Sequence, residues 1–169
     1  LDKFVGLGSP NLPSANLLIT KLTPPVYPLK SVRRERLIEL MQDGMLHRLT
    51  LVVAPAGYGK TSLIRDWTSK IASPYWRIAW LQLDKEDNGL HFWSYFLAAL
   101  QTIAPNIHSG FIEGLETCRN KSECVQLNSL INQIAEIQCS FSIVLDDYHE
   151  IQAEIIHQTL AYLIDHMPE

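Results

Sequence analysis

A chain of 169 residues with 47% apolar side chains is long enough for one domain with a real core. Fourteen basic against 18 acidic side chains leave a net charge of −4, which argues against gripping a polyanion by charge alone. No uninterrupted apolar run approaches 18 residues, and LDKFVGLGSPNLPSANLL has neither a basic start nor an unbroken apolar stretch. The expectation is therefore a cytoplasmic chain with no membrane association and no signal peptide.

Residues 1–30 hold Pro10, Pro13, Pro24, Pro25 and Pro28, which predicts an extended, Pro-rich lead-in. The chain then divides into that lead-in and one further unit, 31–169. SVRRERLIELMQDG reads as a short helix over 31–44, with Ser31 as a possible cap and Gly44 at the stop. LTLVVA (49–54) is a continuous apolar run, as expected of a strand buried on both faces. Leu63, Ile64, Trp67 and Ile71 share one face of a helix over 61–72.

RIAWLQL (77–83) predicts a second strand, and Asn88 a cap for the next helix. Phe92, Trp93, Phe96, Leu97 and Leu100 form that helix's apolar stripe, read as core. Residues 106–124 carry no pattern. Leu127, Leu130, Ile131 and Ile134 suggest another helix, FSIVLD (141–146) a third strand, and 153–166 a last helix. Strands alternating with helices predict an α/β, three-layer fold with a mainly parallel sheet.

Three cysteines, Cys118, Cys124 and Cys139, show no CxxC spacing, which suits reduced thiols better than a disulfide framework. His149, Glu150 and His157 miss the HExxH spacing of a zinc helix.

The chemistry gathers in APAGYGKT, Ala54 to Thr61, between a predicted strand and a predicted helix. Gly57 and Gly59 let the backbone approach an anion without Cβ obstruction. Ala56, Gly57, Tyr58, Gly59, Lys60, Thr61 and Ser62 are the candidate phosphate contacts, through freed N–H groups and the helix N-terminus. Lys60 would meet the β- and γ-phosphates of ATP or ADP, and the Thr61 hydroxyl would ligate Mg²⁺. The strict pattern GxxxxGK[ST] has glycine where Ala54 stands; that position closes the strand and needs only to be small. The plain alternative is a Gly-rich turn with a surface lysine.

FSIVLDDYHE carries Asp146 to the carboxyl end of a buried strand, the side of an open α/β sheet where ligands bind. Asp146 is the second candidate Mg²⁺ ligand, acting through water. Asp147 is the candidate catalytic group that orients or deprotonates an attacking water. A turn that caps the following helix is the competing reading for both aspartates.

Taken together, LLITKLTPP, SVRRERL, VVAPAGYGKTSLIRDW, WLQLDKEDN, FWSYFLAAL and IVLDDYHEI followed by IIHQTLAYLIDHMPE resemble the STAND class of signalling P-loop ATPases. More narrowly, they resemble the MalT-like (LAL) transcription regulators of bacteria, which are LuxR-type regulators. The likeness runs from about Leu18 onward, and in that family alanine is usual at the first loop position. It implies base-side contacts from Val32, Arg34 and Glu35, where the residues alone suggest a solvated helical turn. It gives Asp84 and Asp87 of LDKEDN no chemistry beyond turn formation.

The resemblance further implies a nucleotide switch, with DNA bound through a helix-turn-helix domain and a small-molecule inducer through a sensor domain, both absent from this chain. It implies a homo-oligomer at full length, a slow Mg²⁺-dependent ATPase, and a missing central strand between the phosphate-loop strand and the Asp146 strand. This chain would then be an incomplete fragment of its domain. The alternatives are a P-loop enzyme, such as a small-molecule kinase or motor ATPase, and a degenerate interaction module; sparse arginines after the loop and the intact Lys60, Thr61 and Asp146 disfavour them.

Overall fold

The computed structural model describes residues 17–26, 34–108, 110, 112 and 125–168. Ser31 and Val32 lie outside the described residues, as does most of 106–124. The elements in chain order are α1 (Glu35–Gly44), α2 (Lys60–Ile71), β1 (Trp76–Gln82), α3 (Leu90–Gln101), α4 (Val125–Ala135), β2 (Ser140–Asp146) and α5 (Glu154–His166). The fold is α/β, as the alternation predicts.

β1 and β2 pair in parallel, in register from Trp76 opposite Ser140 to Gln82 opposite Asp146. Successive strand residues point to opposite faces, so the pair feeds two cores. Ala79, Leu81, Ile143 and Leu145 face a larger core with α3, α4 and α5. Ile78, Trp80 and Val144 face a smaller one with Ile38 and Met41 of α1 and Leu63 and Trp67 of α2. Helices thus cover both faces of the sheet, giving three layers. α3 is buried almost all round, from Phe92 and Trp93 to Leu100, and Phe92 meets Trp93 edge-on at 5.1 Å. The stripe read as core is core.

Three expectations are corrected. Residues 49–54 belong to no strand: the described residues form a two-stranded sheet that does not include them. Leu49, Leu51 and Val53 are exposed, and only Val52 packs against the smaller core. An apolar run becomes a strand only when a partner takes its N–H and C=O groups, and among the described residues none does.

In the predicted extended lead-in, Ile19–Leu22 instead forms a 3-10 turn whose Leu22 is buried. Lastly, Asn88 does not cap α3, whose N-cap is Gly89. Its Oδ1 accepts instead from the backbone N–H groups of Gln152 and Ala153, both at 3.2 Å.

Candidate functional site

The loop before α2 turns on two glycines in the left-handed region, Gly57 at φ 80° and Gly59 at φ 77°. A Cβ at either would be strained. Gly59 is the N-cap of α2, and its carbonyl starts the helical bonding by accepting from Leu63 N–H at 3.0 Å. The loop therefore delivers the first amides of α2, which lack partners within the helix, to one concave turn.

Lys60 folds back over this turn, donating to the carbonyl of Ala54 at 2.9 Å and of Pro55 at 3.4 Å. Ala54 thus contributes a carbonyl, which any residue supplies.

Thr61, one residue into α2, donates its hydroxyl to Asp146 Oδ1 at 3.0 Å. Asp146 ends β2 and is 3% exposed. Its other oxygen, Oδ2, is buried and has no hydrogen-bond partner among the described residues. Burial raises the Asp146 carboxyl above the ordinary aspartate value; the nearby Asp147 charge adds to this, and the Thr61 hydrogen bond, the Asp147 backbone N–H and the Lys60 charge only partly offset it. A buried carboxylate oxygen without a partner is costly, and a hard cation beside a threonine hydroxyl would satisfy it. Oxygen donors of this kind are those that Mg²⁺ takes.

Asp147 is the only non-glycine among the described residues with positive φ, at 57°. That conformation, which Asp tolerates better than most residues, swings the chain off the end of β2. His149 Nδ1 lies 3.9 Å from the Asp147 carboxylate.

Among the proposed base-side residues, Arg34 and Glu35 part company. Arg34 Nη1 donates to Tyr58 O at 2.7 Å, and its guanidinium sits where a Cβ on Gly59 would come within 3.4 Å of Nη2. Arg34 thus lies directly on the loop. Glu35 pairs with Lys70, about 15 Å along α2 from Lys60, so the two residues are engaged at different places. Val32 is outside the described residues. Tyr58 is exposed, Ala56 is exposed and Ser62 is half-buried at the helix start.

Asp84 and Asp87 do shape a turn, as the sequence suggests, but sequence reasoning missed their pairing with Lys21 in a charge cluster at the carboxyl end of β1, where Asp87 is buried and Asp84 half exposed. The signal was only a charged, turn-like LDKEDN; no local pattern couples it to a lysine 66 residues away.

No family model matches the chain. Over 164 residues it is 29% identical to a protein named serine/threonine-protein kinase PknK from Mycobacterium tuberculosis, and equally to the protein of that name from Mycobacterium bovis. The match covers 96% of this chain and 15% of each of those proteins. The chain therefore corresponds to a small part of the curated relatives it matches. Among the described residues, no helix is long and apolar enough to cross a membrane.

Proposed function

We propose that this chain forms the N-terminal part of a nucleotide-switch domain that binds ATP or ADP with Mg²⁺ and hydrolyses ATP slowly at full length. The observation that carries this reading is the Thr61–Asp146 hydrogen bond, which joins the loop before α2 to the end of β2 beside Asp146 Oδ2, buried and without a hydrogen-bond partner among the described residues. The Gly57 and Gly59 turn would cradle the phosphates with backbone N–H groups. Lys60 would exchange its bonds to Ala54 and Pro55 for bonds to phosphate oxygens. Thr61 and ionised Asp146 would hold Mg²⁺, which supplies charge neutralisation on the phosphates when bound. Asp147, beside Asp146 and partly solvent-exposed, would orient or deprotonate the attacking water. Arg34 would hold the loop in shape at Tyr58 and Gly59.

The sequence resemblance to MalT-like regulators supports reading this switch as part of an inducer-dependent bacterial transcription activator, in which other parts of the polypeptide would contact DNA and inducer. The mycobacterial name denotes a protein kinase, yet this stretch contains neither an HRD catalytic loop nor a DFG motif. A switch needs different affinities in its two states, and it draws them from parts that close over the nucleotide.

Calorimetry with Mg·ATP and Mg·ADP tests the site. Lys60→Ala should weaken binding about tenfold or more, the size of a lost charge-assisted hydrogen bond. Equal heats from both proteins would overturn the reading, and rapid multiple turnover by this chain would point to a P-loop enzyme instead.

A further inference from the structure

The 3-10 turn Ile19–Leu22 is bolted to the end of β1. Lys21 Nζ donates to both Asp87 oxygens, at 2.8 and 2.7 Å, and reaches Asp84 Oδ2 at 2.6 Å. It also lies 4.7 Å from the centre of the Tyr95 ring, whose hydroxyl accepts from Leu18 N–H at 3.1 Å. Asp87 is 1% exposed, and besides Lys21 it accepts Asp84 N–H at 2.9 Å. All three lysine donors are engaged, and without Lys21 a buried carboxylate would keep one backbone N–H as its partner.

The segment held by this clamp, 83–88, in turn holds the chain that leaves β2. Leu83 N–H donates to Asp146 O at 3.0 Å. Five residues on, Asn88 Oδ1 accepts from Gln152 and Ala153 N–H. Residues 146–153 are therefore gripped at both ends by one short segment, with Asp147 between the two grips. The turn at 84–87 between those grips is shaped by Asp87 and by Asp84 Oδ1, which accepts Glu86 N–H at 2.9 Å.

We infer that Lys21 is a positioning residue for the Asp146–Asp147 end of β2: through Asp84 and Asp87 it fixes segment 83–88, which fixes residues 146–153. This deepens the nucleotide reading and rests on it for its functional half. The Ile19–Leu22 turn then belongs to the frame of the site, and loosening it acts first on the Asp146 end of β2, reaching the loop only through the Thr61–Asp146 bond. The effect of Lys21 is therefore larger on the Asp146 side than on Lys60.

Two measurements on the full chain test this, each with Lys21→Met, Lys21→Arg and the milder Tyr95→Phe, which keeps the ring and loses the bond to Leu18. The first is hydrogen exchange without nucleotide. Lys21→Met should speed exchange of amides in 147–153 by about tenfold, a coupling of ordinary size between sites, with α4 amides unchanged. Lys21→Arg should restore most of the protection, and Tyr95→Phe should show a smaller effect in the same direction.

The second is ATP affinity measured with Mg²⁺ and with EDTA. Lys21→Met should weaken the Mg²⁺-dependent gain by about fivefold or more and leave the EDTA value within about twofold. Unchanged exchange in 147–153 of a folded Lys21→Met protein overturns the positioning claim, whatever happens with nucleotide. An equal loss with and without Mg²⁺ also overturns it. Faster exchange in a chain whose wild type binds no nucleotide overturns the nucleotide reading, and with it the functional half of this inference.

Discussion

Thr61 and Asp146 are 85 residues apart in the chain, and a 3.0 Å hydrogen bond joins their side chains. It fastens the start of α2 to the end of β2, and Asp146 Oδ2 stays buried without a hydrogen-bond partner among the described residues. One carboxylate thus serves as a tie within the fold and keeps a buried acceptor unsatisfied.

Because burial raises the Asp146 carboxyl, the folded state binds its proton more tightly than the unfolded state does. Stability of the metal-free protein should therefore fall as pH rises from about 4 through the raised value, and then level off. Mg²⁺ competes with that proton, so its affinity should weaken as pH falls through the same window. Asp146→Asn should raise the urea midpoint without metal and abolish the Mg²⁺-dependent part of nucleotide binding. A lower midpoint at neutral pH would contradict this account.

The two loop glycines should respond differently to alanine. A Cβ on Gly57 meets nothing within 4 Å, so Gly57→Ala should cost about 1–2 kcal/mol for its left-handed backbone. Gly59→Ala bears that strain and also brings its Cβ to 3.4 Å from Arg34 Nη2, so the guanidinium that holds Tyr58 must give slightly. Urea denaturation should rank Gly59→Ala below Gly57→Ala, and nucleotide affinity should follow the same order.

The Lys21 cluster predicts unequal costs for its two aspartates. Asp87 is buried, and Asp87→Ala should cost about 3 kcal/mol by removing the buried partner of Lys21 and of the Asp84 N–H. Asp84 is half exposed, and Asp84→Ala should cost about 1 kcal/mol or less. The Lys21 hydrogen bond holds the Asp84 carboxyl below its ordinary value. For Lys21, burial works against the charge, but the bonds and charges of Asp84 and Asp87 outweigh it and raise the ammonium. Stability from this cluster is therefore full between about pH 4 and pH 10. It is lost as pH falls through the Asp84 value in the fold, and as pH rises through that of Lys21. Urea midpoints across pH, for wild type and Lys21→Met, check the sign.

Leu49, Leu51 and Val53 lie exposed on a backbone that no strand pairs among the described residues. An exposed apolar edge of this kind templates pairing with another chain. We expect this chain to self-associate on its own. Leu51→Thr with Val53→Lys should shift sedimentation toward monomer while changing stability by less than about 0.5 kcal/mol each. Self-association unaltered by that pair would exclude this edge as its cause.

Much of the fold was legible because it is written locally. The 3.6-residue stripes of α2, α3, α4 and α5 and the apolar runs of β1 and β2 lie within a residue or two of their predicted bounds where the patterns set them. The turn before α2 was legible for the same reason: Gly57 and Gly59 take the left-handed conformations that their place ahead of a helix suggested. So was the position of Asp146, because an apolar run carries it to a strand end.

What the sequence could not determine is everything that depends on a partner far along the chain. Residues 49–54 read as a buried strand, but a strand exists only in its ladder, and the ladder is a tertiary fact. Asn88 looked like a helix cap and instead holds Gln152 and Ala153. Adjacent Arg34 and Glu35 looked like one patch, yet one lies on Tyr58 and the other on Lys70. Lys21 carried no signal until folding brought it against a buried Asp87. Sequence alone determined which groups are candidates for phosphate and metal, because that chemistry follows from residue type and short spacing. Only the tertiary structure decided how those groups are held, because hydrogen bonds and ion pairs between distant segments follow from packing.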